Sequence, residues 1–222
     1  MGLEGPGWRV DVAPPRRLAA RAQLLIENLF DQSHIEFVHP STLGNAAARP
    51  DPIATEMVET ETRFSVWRTV PPMAADDSSR AVFDGLGDYL MARIRVELLG
   101  VSLVNSVGSQ TFNATADGQM LDLLGEMNFL HGVTPETATS THYFTAAARN
   151  FARDADGISA ALMARNDGVV DQDIAVLEAV ERHLDALGDV RAEVTFASDA
   201  GAMQVRRRME RILTQDGLVR AA

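Results

Sequence analysis

Apolar residues along this chain change their period twice, and the changes divide it into three parts. From Leu18 to about Phe37 they recur at helical spacing, at Leu18, Leu25 and Phe30 with Leu24 and Leu29 beside them, which predicts a helix over roughly 20–35. Pro40 disfavours the helical region for His39, so the helix should be over by then. Residues 88–98 alternate instead: Leu90, Ala92, Ile94, Val96 and Leu98 on one face, Met91, Arg93, Arg95 and Glu97 on the other. That is the pattern of a half-buried antiparallel strand. Helical spacing returns at Ile174, Leu177, Val180, Leu184 and Leu187, which predicts a helix over about 169–187 that stops near Gly188. Val205, Met209 and Ile212 mark a final helix, with Arg206, Arg207, Arg208 and Arg211 expected mostly to face solvent.

The remaining segments fit between these. Residues 1–16 hold three prolines and three glycines and read as an extended leader. Residues 44–52 read as loop, and 53–59 and 62–70 as strands, with Phe64 and Val66 alternating against Ser65 and Trp67. A long connection over 71–86, with a short helical turn, leads to the alternating strand. Strands over 101–113, 120–132 and 138–148 follow, with turns at Ala116–Gly118 and Thr134–Glu136. A helix, an antiparallel sheet and then long helices make an α+β plan, helices packed on one face of a sheet.

Composition narrows the function classes. The 222 residues suit one domain or a domain and a half, and 46% apolar residues supply a large core. A net charge of −11 argues against duplex nucleic acid and anionic membranes as partners. Apolar runs such as 94–104 are broken by charge and short of a bilayer span, so the chain reads as soluble. Residues 1–7 have neither the basic nor the apolar region of a signal peptide. There is no cysteine, which fits a reducing cytoplasm and excludes disulfides, thiolate nucleophiles and cysteine-held clusters within these residues. A metal would have to be held by histidine and carboxylate.

Such residues concentrate in one stretch. Asn28, Asp31, His34 and His39 fall within twelve positions, and two of the chain's five histidines are among them. Asn28, Asp31 and His34, three apart, would share a helix face. His39, five beyond His34, would point away on a continuous helix, so joining the two rings needs a break between them. Two neutral imidazoles and one carboxylate form the facial set that binds Fe(II) and leaves positions open. Asp167, Asp171 and Asp173, at the start of the long helix, are candidates for the carboxylate, and Asp31 is placed to steady an imidazole N–H. Histidines satisfied in the core or at the surface are the plainer reading of the same spacing. His142 reads as a core histidine bonded within the sheet, and His183 as surface.

The stretch Asn28-Leu-Phe-Asp31-Gln-Ser-His34-Ile-Glu-Phe-Val-His39-Pro40 closely resembles the iron-binding segment of Rieske-type non-haem iron oxygenases, in particular the vanillate O-demethylase and dicamba monooxygenase branch. Thr134–Thr137, Ser140–Phe144, Arg149–Phe151, Gln172–Arg182 and Ser198–Gly201 with Arg206-Arg207 resemble further segments of that branch, over about residues 20–215. The resemblance implies a helix-grip fold (Bet v1-like or START-like), a curved antiparallel sheet with long helices enclosing a pocket, in a catalytic domain over 20–222 preceded by the leader, 1–19. It implies that His34, His39 and Asp173 ligate a mononuclear Fe(2+), that Asp31 passes electrons to it from a neighbouring subunit's cluster, that Asn28 lies beside it, and that His131 lines the substrate pocket. The reaction implied is hydroxylation or O-demethylation of an aromatic or similarly apolar compound with O₂, by a cytoplasmic homo-oligomer, a trimer by resemblance. Members of the branch carry a Rieske domain with a [2Fe–2S] cluster. With no cysteine here, electrons are expected from a Rieske protein or ferredoxin and a reductase outside this chain. The contrasting expectation is a helix-grip module that binds a hydrophobic ligand without oxygenase activity.

Overall fold

The computed structural model describes residues 5–31, 33–40, 42, 56–188 and 194–215. Its centre is an antiparallel sheet in the order β1-β8-β7-β6-β5-β4-β3, with β2 also on β8. The strands are β1 (Arg9–Val12), β2 (Arg16–Leu18), β3 (Glu56–Glu59), β4 (Arg63–Ala74), β5 (Tyr89–Leu99), β6 (Leu103–Ala114), β7 (Met120–Thr137) and β8 (Ser140–Arg149). Register shifts interrupt the β4–β5, β5–β6, β6–β7 and β7–β8 pairings, and such bulges bend strands and increase their twist. The helices are α1 (Ala22–Phe30), α2 (Ile35–Val38), α3 (Asp77–Val82), α4 (Asp156–Leu187) and α5 (Ala200–Gln215).

The alternation read from β5 sets the inside of the sheet. Val96 and Leu98 pair across to Val66 and Phe64 of β4, and all four join Val104, Val133 and Tyr143 in one buried cluster. The same cluster takes Leu25, Ile26, Leu29 and Phe30 from α1, Val170 and Leu177 from α4, and Ala202 and Val205 from α5. One core therefore lies between the inner face of the sheet and three helices, which is the expected α+β, helix-grip arrangement. Helix α5 comes so close to α1 that a Cβ on Gly201 would sit 3.3 Å from the carbonyl oxygen of Phe30. Among the described residues no helix is long and apolar enough to cross a membrane.

Several boundaries differ from the sequence reading, each for a local reason. The first helix ends at Phe30, not near 35, because the Asp31 carboxylate accepts from the backbone N–H of Ser33 at 2.8 Å and from its hydroxyl at 2.6 Å. Such a side-chain turn offers the backbone an alternative to the next helical bond. The extended leader does not hang free: β1 and β2 pair with β8. Strand β4 runs through Pro71-Pro72 to Ala74, into the expected connection, and its register on β5 shifts between Val70 and Met73, where the prolines have no N–H to give. The helical turn expected in that connection is α3, capped by the Asp76 carboxylate on the Ser79 N–H at 2.7 Å. The turn placed at Thr134–Glu136 is strand; β7 continues to Thr137. The loop over 44–52 lies outside the described residues.

Helix α4 starts thirteen residues before the expected 169. Its buried positions are Ser159, Asn166, Val170, Asp173, Leu177 and Glu181, a single stripe that is mostly polar. An apolar count cannot see such a stripe, and it instead selects Val180 and Leu187, which are exposed. Glu181 holds its inner position by accepting from the Arg21 backbone N–H at 3.0 Å and from its guanidinium. The arginines of α5 also differ from expectation. Arg206 pairs with Glu27 of α1 at 2.6 Å, and Arg208, 4% exposed, pairs with Glu59 at 2.9 Å and with the carbonyl of Thr60.

Candidate metal centre and pocket

The break at Asp31 leaves α2 as a single turn flanked by the two histidines, His34 at its start and His39 at its end. Asn28 and Asp31 thus do not share one helix face with His34. The imidazoles meet across the short turn, ring centroids 5.2 Å apart and planes at 73°. His34 Nδ1 donates to the backbone carbonyl of Asp31, and His39 Nδ1 donates to Gln172 Oε1 at 2.8 Å. Thr42 Oγ1 donates to the same Gln172 oxygen at 3.0 Å. With both Nδ1 atoms acting as donors, both rings present Nε2 inward.

Asp173 faces them from α4. Its Oδ1 lies 3.1 Å from His39 Nε2 and 3.5 Å from His34 Nε2, and the ligand atoms of all three residues fall within 4.8 Å of one another. Asn28 Nδ2 donates to the same Oδ1 at 3.0 Å. His39 and Asp173 are 1% and 4% exposed. Lone pairs on two imidazole nitrogens and one carboxylate oxygen converge in a largely buried site, and they repel unless a cation lies among them. Burial pulls the His39 pKa down, yet the hydrogen bonds to Asp173 and Gln172 and the Asp173 charge hold it above its usual value. The site thus calls for positive charge, a proton or a metal ion, and its donor set fits a divalent transition metal.

The other aspartates considered for this role are elsewhere. Asp167 and Asp171 pair with Arg16 of β2, at 2.9 and 2.5 Å. Asp31 lies next to the set with its carboxylate 28% exposed and Oδ2 3.9 Å from His34 Nδ1.

These groups line one wall of a cavity of about 180 Å³. Leu29, Ile94, Val96, Met127, Phe129, Leu162 and Val170 make most of the rest, with Arg68, Arg165, Asn166 and His131 as polar interruptions. His131 is buried on β7, where its Nδ1 lies 2.6 Å from the hydroxyl of Tyr143 and the two rings stack at 5.7 Å. Burial lowers its pKa to about 4, so the ring is neutral at pH 7. Burial likewise raises the pKa of the Tyr143 hydroxyl.

Sequence reasoning missed Gln172 and Arg68. Gln172 directly precedes the expected aspartate but was given no role. Arg68 is third in the row Phe64, Val66, Arg68, whose first two members are core. A charged residue closing an inward apolar row was the available signal. His142, expected in the core, is exposed on β8 with Glu136 Oε1 3.9 Å from its Nε2, because its strand position points outward. His183 lies exposed on α4.

Comparison with known proteins gives the chain a family and its neighbours in fold. A family model described as the vanillate O-demethylase oxygenase C-terminal domain matches residues 18–215. The toluene-4-sulfonate monooxygenase system iron-sulfur subunit of Comamonas testosteroni is 26% identical over 95% of this chain, and the vanillate O-demethylase oxygenase subunit of a Pseudomonas species is 27% identical over 96%. The chain spans 60% and 65% of the length of these two relatives. The crystal structure of dicamba monooxygenase bound to 3,6-dichlorosalicylic acid superposes with a TM-score of 0.79 at 20% identity, over 97% of this chain and 62% of that one. The chain belongs to the vanillate O-demethylase oxygenase C-terminal domain family.

Proposed function

We propose that residues 20–222 form the catalytic domain of a non-haem Fe(II) oxygenase, with 1–19 as its leader, acting on an aromatic or similarly apolar small molecule. The reading rests above all on Asp173 Oδ1, which faces two Nε2 atoms whose rings are each fixed by an Nδ1 hydrogen bond. His34, His39 and Asp173 would hold the iron. Iron in a two-histidine, one-carboxylate site keeps positions open and supplies the redox chemistry of O₂ activation. The chain's own residues do the rest. The apolar cavity walls take the ring and exclude water, which strengthens every polar contact inside. Asn28 holds the Asp173 carboxylate in place. Neutral His131, steadied by Tyr143, offers a hydrogen bond to a substrate polar group.

Incorporating one oxygen atom of O₂ into the substrate and reducing the other to water consumes two electrons and two protons. No cysteine is available in these residues to hold a cluster. We therefore assign the electrons to a Rieske centre outside these residues, served by a ferredoxin or reductase and reaching the site past the partly exposed Asp31 carboxylate in a cytoplasmic homo-oligomer. Hydroxylation and O-demethylation are the two reactions this supports, the second yielding a phenol and formaldehyde.

Anaerobic reconstitution with Fe(II) tests the reading. The wild type should retain close to one iron per chain and His34→Ala should lose it, and an external Rieske protein with reductase should then couple NADH oxidation to product. Equal iron in both proteins, or none in either, would leave the cavity as a binding module for a hydrophobic ligand.

A further inference from the structure

Helix α4 carries Gln172 and Asp173, yet little apolar packing fixes its rotation. Of its 32 residues, Val170 and Leu177 alone join the buried core among the described residues, with Ile174 packed against it. What holds the helix is polar and comes from one segment. Residues 9–21 run alongside α4 in the same direction and bond to it at successive points. Arg9 meets Asp156 at 2.8 Å, Asp11 meets Ser159 at 2.7 Å, and Arg16 meets Asp167 and Asp171. The Ala19 N–H then donates to Glu178 at 2.9 Å, and Arg21 pairs with Glu181. From Arg9 to Arg21 the extended chain, and from Asp156 to Glu181 the helix, both cover about 40 Å. On its other side the same segment pairs with β8 through β1 and β2. It is a strap that joins the long helix to the sheet.

Arg16 meets α4 just before the metal ligand. Its Nη1 donates to Asp171 Oδ1 at 2.5 Å and to the Asp167 carbonyl at 3.5 Å, and its Nη2 to Asp167 Oδ1 at 2.9 Å. Asp171 and Asp167 lie about 200° and 240° round the helix from Asp173. One rigid, planar guanidinium therefore holds two consecutive turns from the side away from the histidines. The pairs are partly exposed, Asp171 at 71%, and such pairs add little to stability. Their effect is on angle. Turning α4 by about 10° moves a side-chain oxygen at its surface by about 1 Å, whereas a metal site tolerates about 0.5 Å.

We infer that Arg16 is a positioning residue for the metal centre. Through Asp167 and Asp171 it sets the rotation of α4 that brings Asp173 to His34 and His39, and Gln172 to the His39 Nδ1–H. The inference rests on the metal reading for its effect on affinity, but not for its effect on the His39–Gln172 bond.

Chelator-competition titration of the 222-residue chain with Co(II), which takes nitrogen and oxygen donors and withstands air, tests it beside NMR of the metal-free protein. In the wild type the His39 Nδ1 proton, buried and bonded to Gln172, should give a slowly exchanging resonance. Arg16→Gln should lower Co(II) affinity by about tenfold, the lower end of the effect of losing an outer partner of a ligand. It should also broaden or remove the resonance, while melting within about 4 °C of wild type. Arg16→Lys should recover part of both signals. Arg9→Gln, which cuts the strap from α4 at Asp156, far from Asp173, should change neither. Unchanged Co(II) affinity in Arg16→Gln, or an equal loss in Arg9→Gln, would overturn the inference. So would a resonance that is absent from the wild type or survives Arg16→Gln, or an affinity loss that comes only with a large drop in melting temperature. Should Arg16→Gln fail to fold, Arg16→Lys against Arg9→Gln decides. A chain that binds no Co(II) but loses the resonance in Arg16→Gln would sink the metal reading and leave the positioning role standing. One that binds Co(II) equally in wild type and Arg16→Gln would do the reverse.

Discussion

Asn28 and Asp173, 145 positions apart in sequence, are joined by a 3.0 Å hydrogen bond to the carboxylate oxygen that both imidazoles face. The bond fixes Oδ1 from the α1 side while α4 fixes the backbone beneath it, so the aspartate cannot rotate away without leaving an amide unpaired. We expect His34→Ala, His39→Ala and Asp173→Ala to abolish Fe(II) binding in a chelator-competition titration. Asn28→Ala should weaken it by about ten- to a hundredfold, the usual effect of removing an outer partner of a ligand. Unchanged affinity in Asn28→Ala would mean that Asp173 is held by the helix alone.

Gln172 does for His39 what the Asp31 carbonyl does for His34. By accepting from Nδ1 it keeps the proton there and turns Nε2 inward. Gln172→Ala should lower Fe(II) affinity by about ten- to a hundredfold, and Gln172→Glu, which keeps an acceptor at the same reach, should restore most of it. A structural role alone predicts equal losses of thermal stability and no rescue of metal affinity by glutamate, so the two measurements together discriminate.

What the sequence made legible, and what it hid, follows from which residues carry period. The row on β5 and the histidine-bearing stretch were readable because apolar alternation and clustered rare residues are strong local signals. The first turns of α4 were not, because their inner positions, Ser159 and Asn166, are polar and serve hydrogen bonding rather than packing. Spacing alone left Asp167, Asp171 and Asp173 open. Only the register of α4 against α1 and β2 separates them, turning Asp173 to the histidines and the other two to Arg16. The end of α1 at Asp31 was missed because one carboxylate turn overrides a helical apolar pattern. Arg68 stayed hidden in a strand whose other inner residues behave as expected.

The leader is tied to the sheet by charge, and this gives a pH dependence. Arg149, 1% exposed, donates to Asp11 Oδ2 at 3.0 Å, and Ser159 Oγ donates to the same oxygen at 2.7 Å. Burial pushes the Asp11 pKa up, but hydrogen bonds from Ser159, Arg9 and Arg149 and the Arg9 charge bring it below its usual value. The unfolded chain therefore takes up the proton first as pH falls. The stability from this group is fully present above about pH 4 and is lost as pH drops through the lowered folded value. Asp11→Asn should cost about 1–3 kcal/mol at pH 7, since a buried guanidinium loses its counter-charge. In denaturant titrations the gap to wild type should narrow at pH 3; a gap of the same size at both pH values would rule out the assignment.

On the proposed reading, Asp31 should separate binding from turnover. Its backbone carbonyl orients His34, while its carboxylate, partly exposed, holds Ser33 and lies 3.9 Å from His34 Nδ1. A substitution that keeps the turn but removes the charge tests the carboxylate without disturbing the ligand. Asn forms the same side-chain turn as Asp, so Asp31→Asn should preserve α2, leave Fe(II) affinity within about threefold of wild type, and retain binding of aromatic ligands. If the carboxylate lies on the route from an external donor, product formation with a Rieske protein and reductase should nevertheless fall by about a hundredfold or more, as when a catalytic hydrogen bond of a few kcal/mol is lost. Stopped-flow measurements of reduced-donor oxidation by the iron-loaded chain with substrate and O₂ place the loss: electron delivery should slow while the metal stays bound. Equal losses of iron affinity and turnover would instead assign Asp31 to holding His34, and full turnover in the variant would move the electron path elsewhere.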